Sequence, residues 1–306
     1  MMFLRTLYNQ TYRPVVRKFV RNKSQSTAEY CMESVKQHDY ENFACTILLP
    51  NSCRACGFAV RSFNVEIARI AEQVSQESIA LMRLKFWEEA IEKCLDNNAK
   101  IVPKHPVAIE IFKANSTHKL SKRYFRKLIT SRHEYFKRNT FNNLEELEKY
   151  AEGTVSSIYY LILEGSSIKN VNADHAASHL GKAQGIAQQI RSAAHAGRLN
   201  FIPIPLEILV KNKVSQEDLL RAKSSESLRE TVFEVASTSH QHLEKARSLI
   251  ESVPKEARKI LLPAIPVRIY LDRLQKVNYD IFHPSLKHRS WKLLPQLWLS
   301  NVRNKY

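Results

Sequence analysis

Apolar residues return every three to four positions through most of this chain, and that period confines it to helices. Phe63, Ile67, Ile70 and Val74 make one such run, Ile79, Met82, Phe86 and Ala90 a second, and Leu144, Leu147, Ala151, Val155, Ile158 and Ile162 a third. Strand-like alternation is almost absent. Six glycines in 306 residues leave little material for tight hairpins or a glycine-rich phosphate loop, which disfavours a doubly wound α/β fold. At 44% hydrophobic residues the chain can bury a sizeable core and is not intrinsically disordered. The expected fold is all-α, one domain over residues 30–306, with no internal repeat.

Two stretches interrupt the helical pattern. Lys100 to Pro106 and Phe201 to Pro205 should be loops, because each proline pushes its predecessor out of helical geometry. Between them, Ala173 to Ala196 is a helix rich in Ala and Gly, with one face nearly free of side-chain bulk, suited to close packing against a neighbour or to walling a cavity. No window approaches the roughly eighteen apolar residues that a spanning helix needs.

Charge bounds the partners. Against 30 Asp and Glu stand 47 Lys and Arg, a net charge of +17 that suits an anionic partner: nucleic acid, an acidic membrane surface, a diphosphate or an acidic protein. Part of it sits in the first thirty residues, where Arg5, Arg13, Arg17, Lys18, Arg21 and Lys23 precede the first acid, Glu29. Phe3, Leu4, Leu7, Tyr8, Val15, Val16, Phe19 and Val20 can form an apolar face opposite them. Residues 1–29 therefore read as a mitochondrial transit peptide, drawn inward by the matrix-negative potential. Five cysteines, an odd number without a secretory leader, do not make a disulfide framework.

Four local patterns have both a chemical and a structural reading. Cys53 and Cys56 have zinc or redox spacing but lack a second pair, and read as incidental helix cysteines. His175 and His179 project from one helical face without the Glu of a metalloprotease motif or an obvious third ligand, so a polar helix face is favoured. From Lys119 to Arg138, basic residues alternate with Tyr124, Phe125, Tyr135 and Phe136; a solvated helix with buried rings is favoured over an RNA site. The C-terminal run from His283 to Tyr306 mixes Lys287, Arg289, Lys292, Arg303 and Lys305 with Trp291, Leu294, Leu297, Trp298 and Val302. It can lie on an anionic membrane or pack on the main domain, and both readings stay open.

The order and spacing of several blocks resemble the squalene/phytoene synthase superfamily. These are Leu48-Leu-Pro, Phe63-Asn-Val-Glu-Ile-Ala-Arg-Ile-Ala-Glu-Gln-Val-Ser and Leu81-Met-Arg-Leu-Lys-Phe-Trp-Glu-Glu, then Tyr150-Ala-Glu-Gly-Thr-Val, Gly197-Arg-Leu-Asn-Phe-Ile-Pro and Val214-Ser-Gln-Glu-Asp-Leu. Ala173-Asp-His-Ala-Ala-Ser-His-Leu-Gly-Lys-Ala-Gln-Gly and Asp280-Ile-Phe-His-Pro-Ser-Leu are similar, within that superfamily, to the mitochondrial complex I (NADH dehydrogenase) assembly factor 6 family. The resemblance implies an isoprenoid-synthase-like helical fold. It also implies a role early in assembly of respiratory complex I, in peripheral contact with the matrix side of the mitochondrial inner membrane, with complex I subunits or other assembly factors as partners.

Active members of the superfamily carry two Asp-x-x-x-Asp motifs on facing helices, which bind diphosphates through Mg²⁺. Here the first motif aligns with Ala68 and Glu72 and the second with Ser192 and Ala196, and the segment between Ala196 and Gly197 is shorter than in the enzymes. With three of four acids replaced, the resemblance implies a pseudoenzyme without metal or cofactor. Arg69, Arg191 and Arg198 then raise the positive potential of the old site, which could hold an anionic lipid or prenyl headgroup. Two rival expectations are a prenyl transferase with altered metal ligation, using Glu72 with His195 or His175, and an RNA-binding factor acting through Arg123 to Arg138.

Overall fold

The structure, a computed structural model, describes residues 25–306 apart from Ser75, Asn97, Asn139 and Asn200. Most of the segment read as a leader lies outside the described residues. Among those described, the chain is helical and the one β-type pairing is an isolated bridge between Thr140 and Ile202. The first half runs α1 (Thr27–His38), α2 (Tyr40–Ile47), α3 (Asn51–Ala68), α4 (Ile70–Gln73), α5 (Glu77–Leu95), α6 (Pro106–His118) and α7 (Lys122–Arg138). The second half runs α8 (Leu144–Ala151), α9 (Ser157–Gly165), α10 (Val171–Ala193), α11 (Ala196–Leu199), α12 (Leu206–Lys211), α13 (Gln216–Leu220), α14 (Glu226–Ser248), α15 (Lys255–Arg258), α16 (Ala264–Lys276) and α17 (Leu293–Arg303).

Two helices organise the core. Buried on most of its circumference from Phe58 to Ile67, α3 packs against α1, α6 and α9, while α10 packs against α8, α9, α14 and α16. Helix starts follow side-chain chemistry. Asn143, Asn170, Ser215 and Ser225 each accept a backbone N–H of the first turn they precede, and Pro106 opens α6 where its missing N–H goes unneeded. The two proline-marked loops are present, the first beginning within a short 3₁₀ turn at Ala99–Ile101.

Three details differ from the sequence expectation. First, α1 starts at Thr27 with a capping box between Ser26 and Glu29, and the Thr27 hydroxyl donates to the Glu110 carboxylate of α6. The expected boundary after residue 29 therefore falls inside a helix. Second, the run from Leu144 to Ile162 is not one α-helix, because a π-turn at Glu152–Ser156 separates α8 from α9. Third, Ile79, Met82 and Phe86 face outward, Met82 with 68% of its surface exposed, and only Ala90 of that run is buried. The buried stripe of α5 is Ala80, Leu84, Trp87, Ile91 and Cys94, anchored where Trp87 meets the rings of Phe63 at 5.5 Å and His105 at 5.0 Å.

Candidate functional site

Where α3 ends, Ala68 is exposed, Arg69 is half-buried as the C-cap, and Glu72 is exposed on α4. Charges of both signs share this corner. Glu66 accepts a hydrogen bond from the Tyr30 hydroxyl at 3.1 Å. His38 is held below its ordinary pKa, first by burial and then by Arg69, with Glu72 and Glu66 pulling the other way.

At the end of α10, the Ser192 hydroxyl donates to the Gln189 carbonyl at 2.8 Å, and Ala196 is buried. Arg191 forms a forked pair with Glu41 of α2, Nη1 to Oε2 at 3.1 Å and Nη2 to Oε1 at 3.4 Å, and lies 4.4 Å from the centre of the Tyr270 ring. Its charge is thus partly answered within the fold. The side chain of Arg198 lies outside those described. His195 is exposed, and His175 sits seventeen residues before Ser192 on the same helix, about 25 Å along its axis. Sequence spacing therefore brings Ser192, Ala196 and Arg191 to one helix end but leaves His175 far from it.

The four positions that the resemblance aligns with the acidic motifs do not fit a bridging Mg²⁺. A hard cation wants several carboxylate oxygens, and Glu72 alone of the four motif positions supplies any. Among the described residues no three His, Cys, Asp or Glu side chains gather as metal ligands would.

Sequence reasoning missed the polar chain deeper in the molecule. Arg61 of α3, only 3% exposed, sits 5.8 Å from the Tyr159 ring centre. Tyr159 donates to the Gln184 side-chain carbonyl at 2.5 Å, Gln184 donates to Asn42 at 3.2 Å, and Asn42 donates to the Asp39 carboxylate at 2.9 Å. Burial raises the pKa of Tyr159 and of Asp39, and the Arg61 guanidinium pulls both down. The signal for Arg61 was its register, three residues after Phe58 and four before Val65 on an apolar helix face. Glu152 was missed too. It accepts from Tyr160 at 2.7 Å and from Ser156 and Ser178 at 2.8 Å each, which ties the π-turn to α10.

The His175/His179 pair does not converge. His179 turns to α14 instead, where its Nδ1 lies 2.9 Å from Nδ1 of His242, whose Nε2 stands 3.3 Å from Glu148 of α8. One ring nitrogen must donate and the other accept, so the contact holds one shared proton. Burial is the main cause that lowers both imidazoles. His242, Lys182, Lys245 and His175 reinforce it at His179, while Glu148 and Glu152 oppose it at His242 and Lys182 reinforces it. A histidine whose folded pKa is lowered binds fewer protons folded than unfolded, so its stability contribution is present above the unfolded value and lost as pH falls from there through the lowered folded one. The urea midpoint should drop between pH about 7.5 and 5.5, and His179→Asn should flatten that drop. An unchanged slope in the variant would remove the pair from the account.

The basic helix α7 is mostly engaged with protein. Lys122 and Arg126 pair with Glu92 at 2.7 and 3.0 Å, and Arg138 pairs with Glu146 at 3.3 Å. Arg132 is buried, donating to the Leu128 carbonyl at 2.8 Å and to Asn64 at 2.6 Å. Phe125 is buried beside Phe63. Cys53 and Cys56 are buried free thiols, and burial pushes Cys56 up to about 12, far from a reactive thiolate.

Comparison with known proteins gives a consistent answer. The squalene/phytoene synthase profile matches residues 35–293. NADH dehydrogenase (ubiquinone) complex I, assembly factor 6, from Bos taurus is 41% identical over 280 residues, covering 92% of this chain and 83% of that protein. The homolog from Drosophila melanogaster is 42% identical over 283 residues, covering 91% and 84%. Among solved structures, squalene synthase from Alicyclobacillus acidocaldarius superposes with a TM-score of 0.71 at 16% identity, covering 83% of this chain and 94% of that one, a likeness of fold.

Proposed function

The chain belongs to the squalene/phytoene synthase family, in its complex I assembly factor 6 branch, and from that membership we propose that it is a non-catalytic assembly factor for mitochondrial respiratory complex I. It acts early in assembly, on the matrix side of the inner membrane and in peripheral contact with it, binding complex I subunits or other assembly factors. The observation that carries the non-catalytic reading is the state of the old metal corner. Ala68, Ser192 and Ala196 offer no carboxylate and Glu72, exposed, is the one acid among the four positions, so the paired-carboxylate clamp on a leaving diphosphate is missing. Removing the protein from cells should lower complex I and spare the other respiratory complexes. A uniform fall of all of them would reject the reading, as would diphosphate release from farnesyl diphosphate that Glu72→Ala abolishes.

The leader belongs to the same proposal, with one refinement. Because Ser26 and Glu29 cap α1 and Thr27 is tied to α6, the mature chain begins at or before Ser26 rather than at Tyr30. N-terminal sequencing of protein isolated from mitochondria checks this, and a mature start at Tyr30 would contradict it.

A further inference from the structure

We infer that α17 and the turn that leads into it carry a docking surface for an anionic lipid bilayer, formed by Trp291, Leu294, Trp298 and Val302 with their basic neighbours. The open alternative at this segment was packing on the main domain, and the structure assigns that task to the other side of the helix. Leu293 and Leu297 are buried in a small cluster with Ala44, Cys45, Leu262, Ile265 and Ile269. A helix turns about 100° per residue, so the positions of Leu294, Trp298 and Val302 form a stripe centred roughly 120° around the helix from Leu293 and Leu297. That stripe stands in solvent: Trp291 is 80% exposed, Trp298 64%, Val302 62% and Leu294 55%. A soluble protein rarely leaves so contiguous an apolar patch without a partner.

Charge selects the partner. Past Asp280 no acid occurs before the chain ends at Tyr306, while Lys287, Arg289, Lys292, Arg303 and Lys305 all fall in that span. Lys292 lies 5.7 Å from the Trp291 ring centre, so a cation borders the exposed apolar face. Indole rings favour the headgroup boundary, where an apolar body and a polar N–H are both served, and lysine and arginine meet lipid phosphates there. A protein groove would normally answer exposed cations with acids matched one to one. A bilayer answers them collectively, which suits five cations on a short segment. The helix lies in the plane of the interface, held from behind by its buried leucines. No helix among the described residues is long and apolar enough to cross a membrane.

This deepens the proposed membrane-side role by naming the surface that performs it, and rests on that role only for the choice of cellular membrane. The test mixes the full chain with vesicles of phosphatidylcholine alone or with a third phosphatidylglycerol, scored by co-sedimentation and by tryptophan emission. Binding and a blue shift are expected with anionic vesicles, weakening at about 0.5 M salt. Trp291→Ser/Trp298→Ser should lose binding at least about tenfold. Met82→Ser/Phe86→Ser, which alters the exposed apolar residues of α5, should keep it. Since all four residues are exposed, circular dichroism and the thermal midpoint should match the parent. Equal binding to neutral vesicles, or undiminished binding by the tryptophan variant, overturns the inference. So does a concentration-dependent dimer that the tryptophan variant abolishes, which would give the face to a second copy. Vesicle results leave the assembly reading untouched, because that stands or falls on complex I levels in cells lacking the protein.

Discussion

Gly181→Ala should cost about 3 kcal/mol, at the upper end for overpacking a tight interface, and lower the thermal midpoint by about 6 °C. A Cβ at this position would stand 2.1 Å from the Ser156 Oγ and 2.5 Å from both Cα and N of Ser156. The last two are backbone atoms, so no rotamer change relieves them, and α10 must move away from the π-turn. That motion would also stretch the hydrogen bond by which Ser178 holds Glu152 and the Ser156 bond to the Ser178 carbonyl at 3.1 Å. Gly185→Ala should follow closely, since its Cβ would meet Ala151 Cα at 2.9 Å. Gly57→Ala should be the mildest of the three, because there the obstacles at 2.9 and 3.1 Å are methyl ends of Leu49 and Thr46, which can turn aside. Thermal and urea denaturation of the three variants would give the order. Equal losses at Gly57 and Gly181 would show that backbone contact does not set the cost.

That series bears on how far the fold was legible beforehand. The small face of α10 was readable from composition, since alanines and glycines at helical spacing permit close approach. What it approaches was not, because a π-turn leaves no periodic trace: Tyr150 to Ser157 keeps an α-like apolar pattern while the backbone inserts an extra residue. The exposed run Ile79, Met82 and Phe86 misled for a related reason. Two apolar stripes coexist on α5, and tertiary contacts with Phe63 and His105 choose the one containing Trp87. The expected loss of acids at Ala68, Ser192 and Ala196 rests on the resemblance to the enzymes. The partnership of Arg191 with Glu41 was not legible, since the two residues are 150 positions apart and meet only when α2 packs near the end of α10. Long-range pairing of that kind leaves no mark in local spacing, whereas helix caps such as Ser26, Asn143 and Ser225 are written within four residues of where they act.

Arg61→Met should destabilise the protein by about 3 kcal/mol near neutral pH, with most of the loss restored in Arg61→Met/Asp39→Asn. Methionine fills much of the arginine volume, so the cavity term stays small. The loss comes instead from Asp39, whose carboxyl is already raised above its ordinary pKa by burial and is drawn down chiefly by Arg61. Without the guanidinium only Asn42 remains to support the charge, through donors at 2.9 Å to both carboxylate oxygens. A carboxyl with a raised folded pKa binds its proton more tightly folded than unfolded, so it favours the fold below the unfolded value and penalises it as pH rises through the folded one. The deficit of Arg61→Met relative to the parent should therefore shrink on acidification and widen toward neutrality. The double variant should show no such slope, because asparagine carries no proton to lose. Urea titrations from about pH 4 to 7.5 separate this from plain loss of packing, which is independent of pH. The parent enters the comparison with its own penalty, a guanidinium whose Nε has no hydrogen-bond partner. If the double variant exceeds the parent in stability, Arg61 is retained at a cost to the fold.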